Sequence, residues 1–219
     1  YLAGGAVYLV LRTGAEHRGA PPVFTNVSAL VAMPKFWISV IFFWLAATVA
    51  IGGYSVLPAF LVAERGISQT VVNTAISASR VLGVLMTVAT GFVVDRFDTT
   101  KALTRFWLVT VGLTIVLALV SGVTSVVATV LLIAAMGAAF PGAFAAAARI
   151  EDRELHNVAV SITIPAGYLI GGGLLPAGLG ALGERGMFWL GYLILGVIAA
   201  AAIGVSRMLQ HRAAVSGTG

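Results

Sequence analysis

The chain contains no cysteine, which excludes disulfides, thiolate metal ligands and thiol catalysis. Charge is nearly as scarce: 10% of the 219 residues are Asp, Glu, Lys or Arg, whereas 59% are hydrophobic. A soluble domain carries about a quarter of its residues as charges, so a soluble globular fold is excluded. The mean hydropathy of +1.03 points the same way. Thirteen Lys and Arg outweigh eight Asp and Glu, but they stand in short clusters between apolar runs. That arrangement suits a membrane protein and gives no basic face for nucleic acid.

The uncharged runs predict the spans. Residues 36–63, 155–183 and 186–206 carry no charge, residues 66–94 carry one, Arg80, and residues 106–148 carry none. A helix rising about 1.5 Å per residue needs about 20 residues to cross about 30 Å of hydrocarbon. The run 106–148 is therefore two spans, divided at the turn-like cluster Ser121-Gly122-Val123-Thr124-Ser125. The expectation is an all-α bundle of six transmembrane helices at about 36–62, 68–94, 102–121, 125–148, 157–182 and 187–208. Residues 1–12, apolar up to Leu11, read as the end of a further, truncated span. Residues 13–35 read as a polar linker, broken by Pro21-Pro22, and residues 209–219 as a tail.

Basic residues set the orientation. Arg12, Arg18, Lys35, Arg96, Lys101, Arg105, Arg149, Arg153, Arg207 and Arg212 fall on one side of this topology, and Arg65 and Arg185 on the other. The positive-inside tendency places the linker and the tail in the cytoplasm. The preference for Arg over Lys, with much Ala and Gly, suggests a bacterial inner-membrane protein.

Within the spans the exceptional residue is Arg80, close to the midpoint of the second. An arginine at mid-bilayer costs about 2.5–3.5 kcal/mol on insertion scales, so it faces protein or water. Asn73, Ser77, Arg80, Gly83 and Thr87 share a helical face. No Asp or Glu falls inside a span, so this chain offers Arg80 no intramembrane counter-ion. Either Arg80 binds an anionic solute in a wet cavity, its planar fork matching an oxyanion, or it is a structural arginine. In the first span Trp44, Thr48 and Ser55 share a side, with Gly52-Gly53 and Pro58 permitting a kink. In the fifth, Asn157, Ser161 and Tyr168 align, with Pro165 and Gly171-Gly172-Gly173 loosening the helix. The third and sixth spans read as lipid-facing supports, with Gly196, Ala200 and Gly204 as a packing seam.

The second span ends in Gly91-Phe92-Val93-Val94-Asp95-Arg96-Phe97-Asp98-Thr99-Thr100-Lys101. This segment resembles the cytoplasmic loop signature of the major facilitator superfamily, with Gly91, Asp95, Arg96 and Lys101 matching and Asp98 in place of the second glycine. The resemblance extends over the whole chain. The basic linker before six spans, and the Gly- and Pro-rich fifth span leading to Gly183-Glu184-Arg185-Gly186, are similar to the end of helix six, the central linker and helices seven to twelve. It implies one half of a twelve-helix fold whose partner is the missing N-terminal six-helix half. It also implies that Gly91, Asp95, Arg96 and Lys101 form a gating latch, although a helix-capping Asp in an ordinary basic loop fits the same residues. Helices seven, eight, ten and eleven would line the central cavity.

The function expected on these grounds is secondary transport of a small solute by alternating access across the lipid bilayer. Arg80, Asn73, Ser77, Trp44, Ser55 and Tyr168 are the candidate solute-binding residues, and the solute is expected to be an organic or inorganic anion. Members of the family that carry organic anions or nitrate bear an arginine in the eighth helix, as Arg80 would be. The alternative is efflux of drug-like or neutral metabolites with Arg80 structural. An intramembrane enzyme is disfavoured because His17, His156 and His211 lie near chain ends or a loop edge and the spans hold no carboxylate pair. No cofactor or metal is expected.

Overall fold

The computed structural model of the protein describes residues 24–96, 99–148 and 156–216. The stub at residues 1–12 and the first part of the linker lie outside these residues. The described elements are α1 (Phe24–Val31), α2 (Pro34–Ala47), α3 (Gly53–Ala63), α4 (Gln69–Arg96), α5 (Thr99–Leu119), α6 (Val123–Ala148), α7 (His156–Tyr168), α8 (Leu175–Gly183) and α9 (Phe188–Ser216). A π-helical turn at Thr48–Gly52 joins α2 to α3, and another at Leu169–Leu174 joins α7 to α8. Four stretches are long and apolar enough to cross a bilayer: Phe36–Ala63, Gln69–Thr90, Val158–Gly183 and Phe188–Met208. Thr104–Leu119 and Val123–Gly137 are shorter apolar helices. The described residues contain helices and turns and no strand, as a bilayer demands of a chain that must satisfy its own backbone.

The polar-linker reading of residues 13–35 needs amendment at its end, where Phe24–Val31 coil into α1. Leu30 is fully buried against Phe36, Val158 and Ala159, with Val27 packed beside it. A single apolar face therefore seats this helix on the bundle. Pro34 then opens α2 within its first turn, where a missing N–H goes unnoticed.

The main core lies between α2, α3, α5, α6 and α9. Phe42, Phe60, Trp107, Leu117 and Tyr192 are buried there, with the Phe60 ring 4.7 Å from that of Tyr192 and Phe42 meeting Trp107 edge-on at 6.2 Å. Helix α4 packs chiefly on α6, and α5 chiefly on α9. The proposed seam on α9 is corrected here. Gly196 does meet Ile115, but Gly204 has nothing near it and Ala200 is exposed. The buried face is instead Tyr192, Leu195, Ala199 and Ala202.

Two adjacent residues after α3 tie the bundle at one end. The Glu64 carboxylate accepts hydrogen bonds from the first backbone N–H groups of α9, those of Phe188 and, at 3.1 Å, Trp189. Arg65 donates to the Leu117 and Ala118 carbonyls at the end of α5, at 3.4 and 2.5 Å, with its guanidinium 4.8 Å from the Phe60 ring centre. An anion at a helix N-terminus and a cation at a C-terminus both oppose the macrodipole. Gly66, at φ 65°, supplies the left-handed stop that turns the chain after them.

The two π turns face each other with their backbones in contact. A Cβ built on Gly171 would stand 2.7 Å from the carbonyl carbon of Ala47 and the amide nitrogen of Thr48. One built on Gly52 would stand 2.5 Å from the Gly171 carbonyl oxygen. Neither obstacle can rotate away, since both are main chain. Gly171→Ala is therefore expected to destabilise the folded protein by about 1–3 kcal/mol through overpacking, read as a lowered unfolding temperature in detergent. Gly178→Ala, where open space surrounds the site, should leave that temperature unchanged or raise it.

Candidate solute-binding site

Arg80 lies eleven residues into α4, about 17 Å along the helix axis and so near the middle of a bilayer about 30 Å thick. Its side chain is exposed on the described surface. The polar partner it finds is the hydroxyl of Tyr54 on α3: Nε donates to Tyr54 Oη at 3.2 Å and Nη2 at 2.7 Å. The guanidinium carbon stands 5.7 Å from the centre of the Tyr54 ring, over its face. Tyr54 lies nine residues from the end of α3 at Ala63, so the two residues reach the same depth from the same side. The pair thus spans two helices while leaving the positive charge unneutralised by any carboxylate among the described residues. Of the described carboxylates, that of Glu64 is held by α9, and Glu184 stands in the exposed turn after α8.

Tyr54 also lines a cavity of about 260 Å³, together with Ala50, Ile51, Ile133, Met136, Gly137 and Tyr168. Its walls come from the α2–α3 rod, from α6, and from Tyr168 at the end of α7. Both π turns border it, Ala50 and Ile51 lying in one and Tyr168 immediately preceding the other. π turns occur frequently at functional sites. At Gly137, which also lines the cavity, α6 meets α4. A Cβ on Gly137 of α6 would lie 3.4 Å from the Gly83 carbonyl oxygen of α4. Thr87 Oγ1 lies 2.8 Å from that carbonyl and 3.2 Å from the carbonyl of Gly137.

The six residues expected to bind solute are distributed unequally around this cavity. Tyr168, 48% exposed, lines it, and Arg80 reaches it through Tyr54. Asn73 and Ser77 are exposed on the same face of α4 as Arg80 and nearer the helix start, and Asn73 Oδ1 accepts from Gln69 Nε2 at 2.9 Å. Ser55 spends its hydroxyl on the Gly52 carbonyl of its own helix, at 2.8 Å. Trp44 is half-buried on α2 and takes no part in the cavity wall. Tyr54 is not among those six residues. The signal that finds it is depth: a mid-bilayer arginine needs an acceptor, and Tyr54 is the polar side chain at matching depth one helix away.

The backbone of Gly91, Asp95 and Arg96 closes α4, and that of Lys101 belongs to the first turns of α5. The side chains of this expected latch lie outside the described ones.

Neither a protein-family model nor a curated protein matches the sequence. Solved structures do match the fold. The chain superposes on the crystal structure of a variant of the E. coli fucose:proton symporter FucP with a TM-score of 0.75 and 18% identity, over 86% of this chain and 46% of that one. A second structure, described as a major facilitator superfamily transporter, FucP, in the outward conformation, gives a TM-score of 0.75 at 19% identity, over 86% and 45%. The chain has the fold of one half of a major facilitator superfamily transporter. It spans about half the length of the symporter chains it matches. Within that half-fold, Tyr54 joins Arg80 to the wall of the cavity.

Arg80→Met should change the unfolding temperature of the ligand-free protein little, because the insertion cost it relieves, about 2.5–3.5 kcal/mol, is offset by the loss of two charge-assisted hydrogen bonds to Tyr54. A thermal scan in detergent measures it.

Proposed function

We propose that the chain is the C-terminal six-helix half of a secondary transporter. In this reading it moves a small organic or inorganic anion by alternating access, and Arg80 is the charge that attracts the solute. The observation that carries the reading is the isolation of that charge. Arg80 is held at bilayer depth by a neutral phenol, with no described carboxylate against it. Intramembrane ionisable residues are retained for function, and an incoming anion supplies the counter-charge that the described residues lack. The half-fold of a transporter supports the transport part of the reading. The missing N-terminal half would complete the cavity, and Gly91, Asp95, Arg96 and Lys101 would latch the cytoplasmic side. The linker and C-terminal tail would lie in the cytoplasm of a bacterial cell.

Efflux of drug-like or neutral metabolites is the second reading. It is favoured by the apolar wall formed by Ile51, Ile133 and Met136 and by the two phenols. The Arg80–Tyr54 bond would then serve only to join α3 to α4.

A ligand that binds the folded state stabilises it by mass action, by about 2.7 kcal/mol at a hundred times its Kd, and so raises its unfolding temperature. Thermal scans of the purified full-length transporter with small anions, neutral solutes and cationic drugs, repeated on Arg80→Gln, separate the readings. Anions should stabilise the parent and leave the variant unmoved. Equal stabilisation of both proteins by neutral or cationic compounds would sink the anion reading and favour efflux.

A further inference from the structure

We propose that Tyr54 is the group that touches the solute and that Arg80 acts through it. The inference rests on the anion reading above and adds how the anion is recognised. Tyr54 forms part of the cavity wall, whereas Arg80 does not. The guanidinium approaches the phenol from α4, and its Nε–H and Nη2–H converge on the one oxygen.

A phenol has one O–H to donate and two acceptor positions. With two guanidinium N–H groups on the oxygen, its acceptor capacity is spent, and donation is what remains. Both bonds are charge-assisted, and a hydroxyl that accepts from cations becomes a stronger donor in turn. The Arg80–Tyr54 pair therefore offers the cavity a single polarised O–H backed by a positive charge. A carboxylate or other oxyanion gains from both. An ammonium group finds no acceptor on this pair and meets a like charge.

The remaining wall sets the other half of the specificity. Ala50, Ile51, Ile133 and Met136 are apolar, and Tyr168 adds a neutral phenol. A bound solute would turn its oxyanion towards Tyr54 and its apolar body towards α6. The substrate class that follows is a small organic anion without an ammonium group, so simple carboxylates are taken and amino acids are refused.

The test measures the Kd of the full-length transporter for a series of carboxylates (acetate, butyrate and benzoate) and for the amines of matching skeleton. It is repeated on Tyr54→Phe, Tyr54→Gln and Arg80→Gln. Tyr54→Phe should weaken carboxylate binding at least tenfold although Arg80 is intact. Tyr54→Gln, whose amide oxygen accepts the guanidinium while its N–H donates onwards, should stay within about threefold of the parent. A structural role for Tyr54 would not produce that rescue. If Tyr54→Phe binds carboxylates as well as the parent or more tightly, the solute sits directly on the Arg80 fork and the proposal falls, while the anion reading survives. If the parent binds none of the carboxylates, the anion reading fails and takes this inference with it. Should Tyr54→Phe not fold, Tyr54→Gln against Tyr54→Met decides the same question, because methionine cannot donate.

Discussion

Hydrocarbon offers no hydrogen-bond partner, and among the described residues the polar groups of the spans meet that constraint in several ways, with the buried Trp107 indole N–H as an exception. Thr110, Thr114 and Thr129 are fully buried and return their hydroxyls to carbonyls one turn back. Tyr192 reaches from α9 to the Gly53 carbonyl, at 2.9 Å, just where the π turn ends. Charges at the α3–α4 connection are used as helix caps, Glu64 on α9 and Arg65 on α5. Against this background Arg80 stands apart. It is the described charge that lies deep in a spanning helix, and its partner is neutral.

The glycines explain how such a site can be built between rigid rods. Gly52 and Gly171 let the α2–α3 and α7–α8 rods touch backbone to backbone, and Gly83 and Gly137 bring α4 close to α6. A side chain at Gly52 or Gly171 would force those two rods apart, whereas a Cβ on Gly137 would only touch the Gly83 carbonyl, at 3.4 Å, and one on Gly83 would meet nothing within 4 Å. The cavity bordered by Tyr54, Gly137 and Tyr168 sits between these two contacts. Packing without side chains is how helices associate closely where no hydrophobic drive exists between them. Here the same device holds Tyr54 at the edge of the cavity, and Arg80 meets it from the neighbouring helix.

Most of the fold was legible because charge in hydrocarbon is expensive. The gaps between charged residues mark the rods, and the glycine runs at 52–53 and 171–173 mark where two of them loosen into π turns. What escaped is what depends on rotation and reach. Nothing in the spacing of Tyr54 and Arg80 fixes how α3 and α4 are turned toward each other, so a shared hydrogen bond between them needed coordinates. Ser55 and Asn73 looked available from their helical face, yet the Ser55 hydroxyl donates to Gly52 one turn back and Asn73 Oδ1 accepts from Gln69. The helix Phe24–Val31 was hidden for a different reason: it is too short to show a clear period, and its single anchor, Leu30, acquires meaning only once Phe36 and Val158 are beside it.

The central claim is that the charge on Arg80 is completed by the transported solute. Exchange of a labelled carboxylate across proteoliposomes containing the full-length transporter, compared between parent and Arg80→Gln, tests it most directly. The account predicts uptake that is accelerated by the same anion inside the vesicle and lost in the variant, with both proteins equally folded and inserted. Equal exchange by the two proteins would contradict it, and would leave Arg80 as a fastener between two helices.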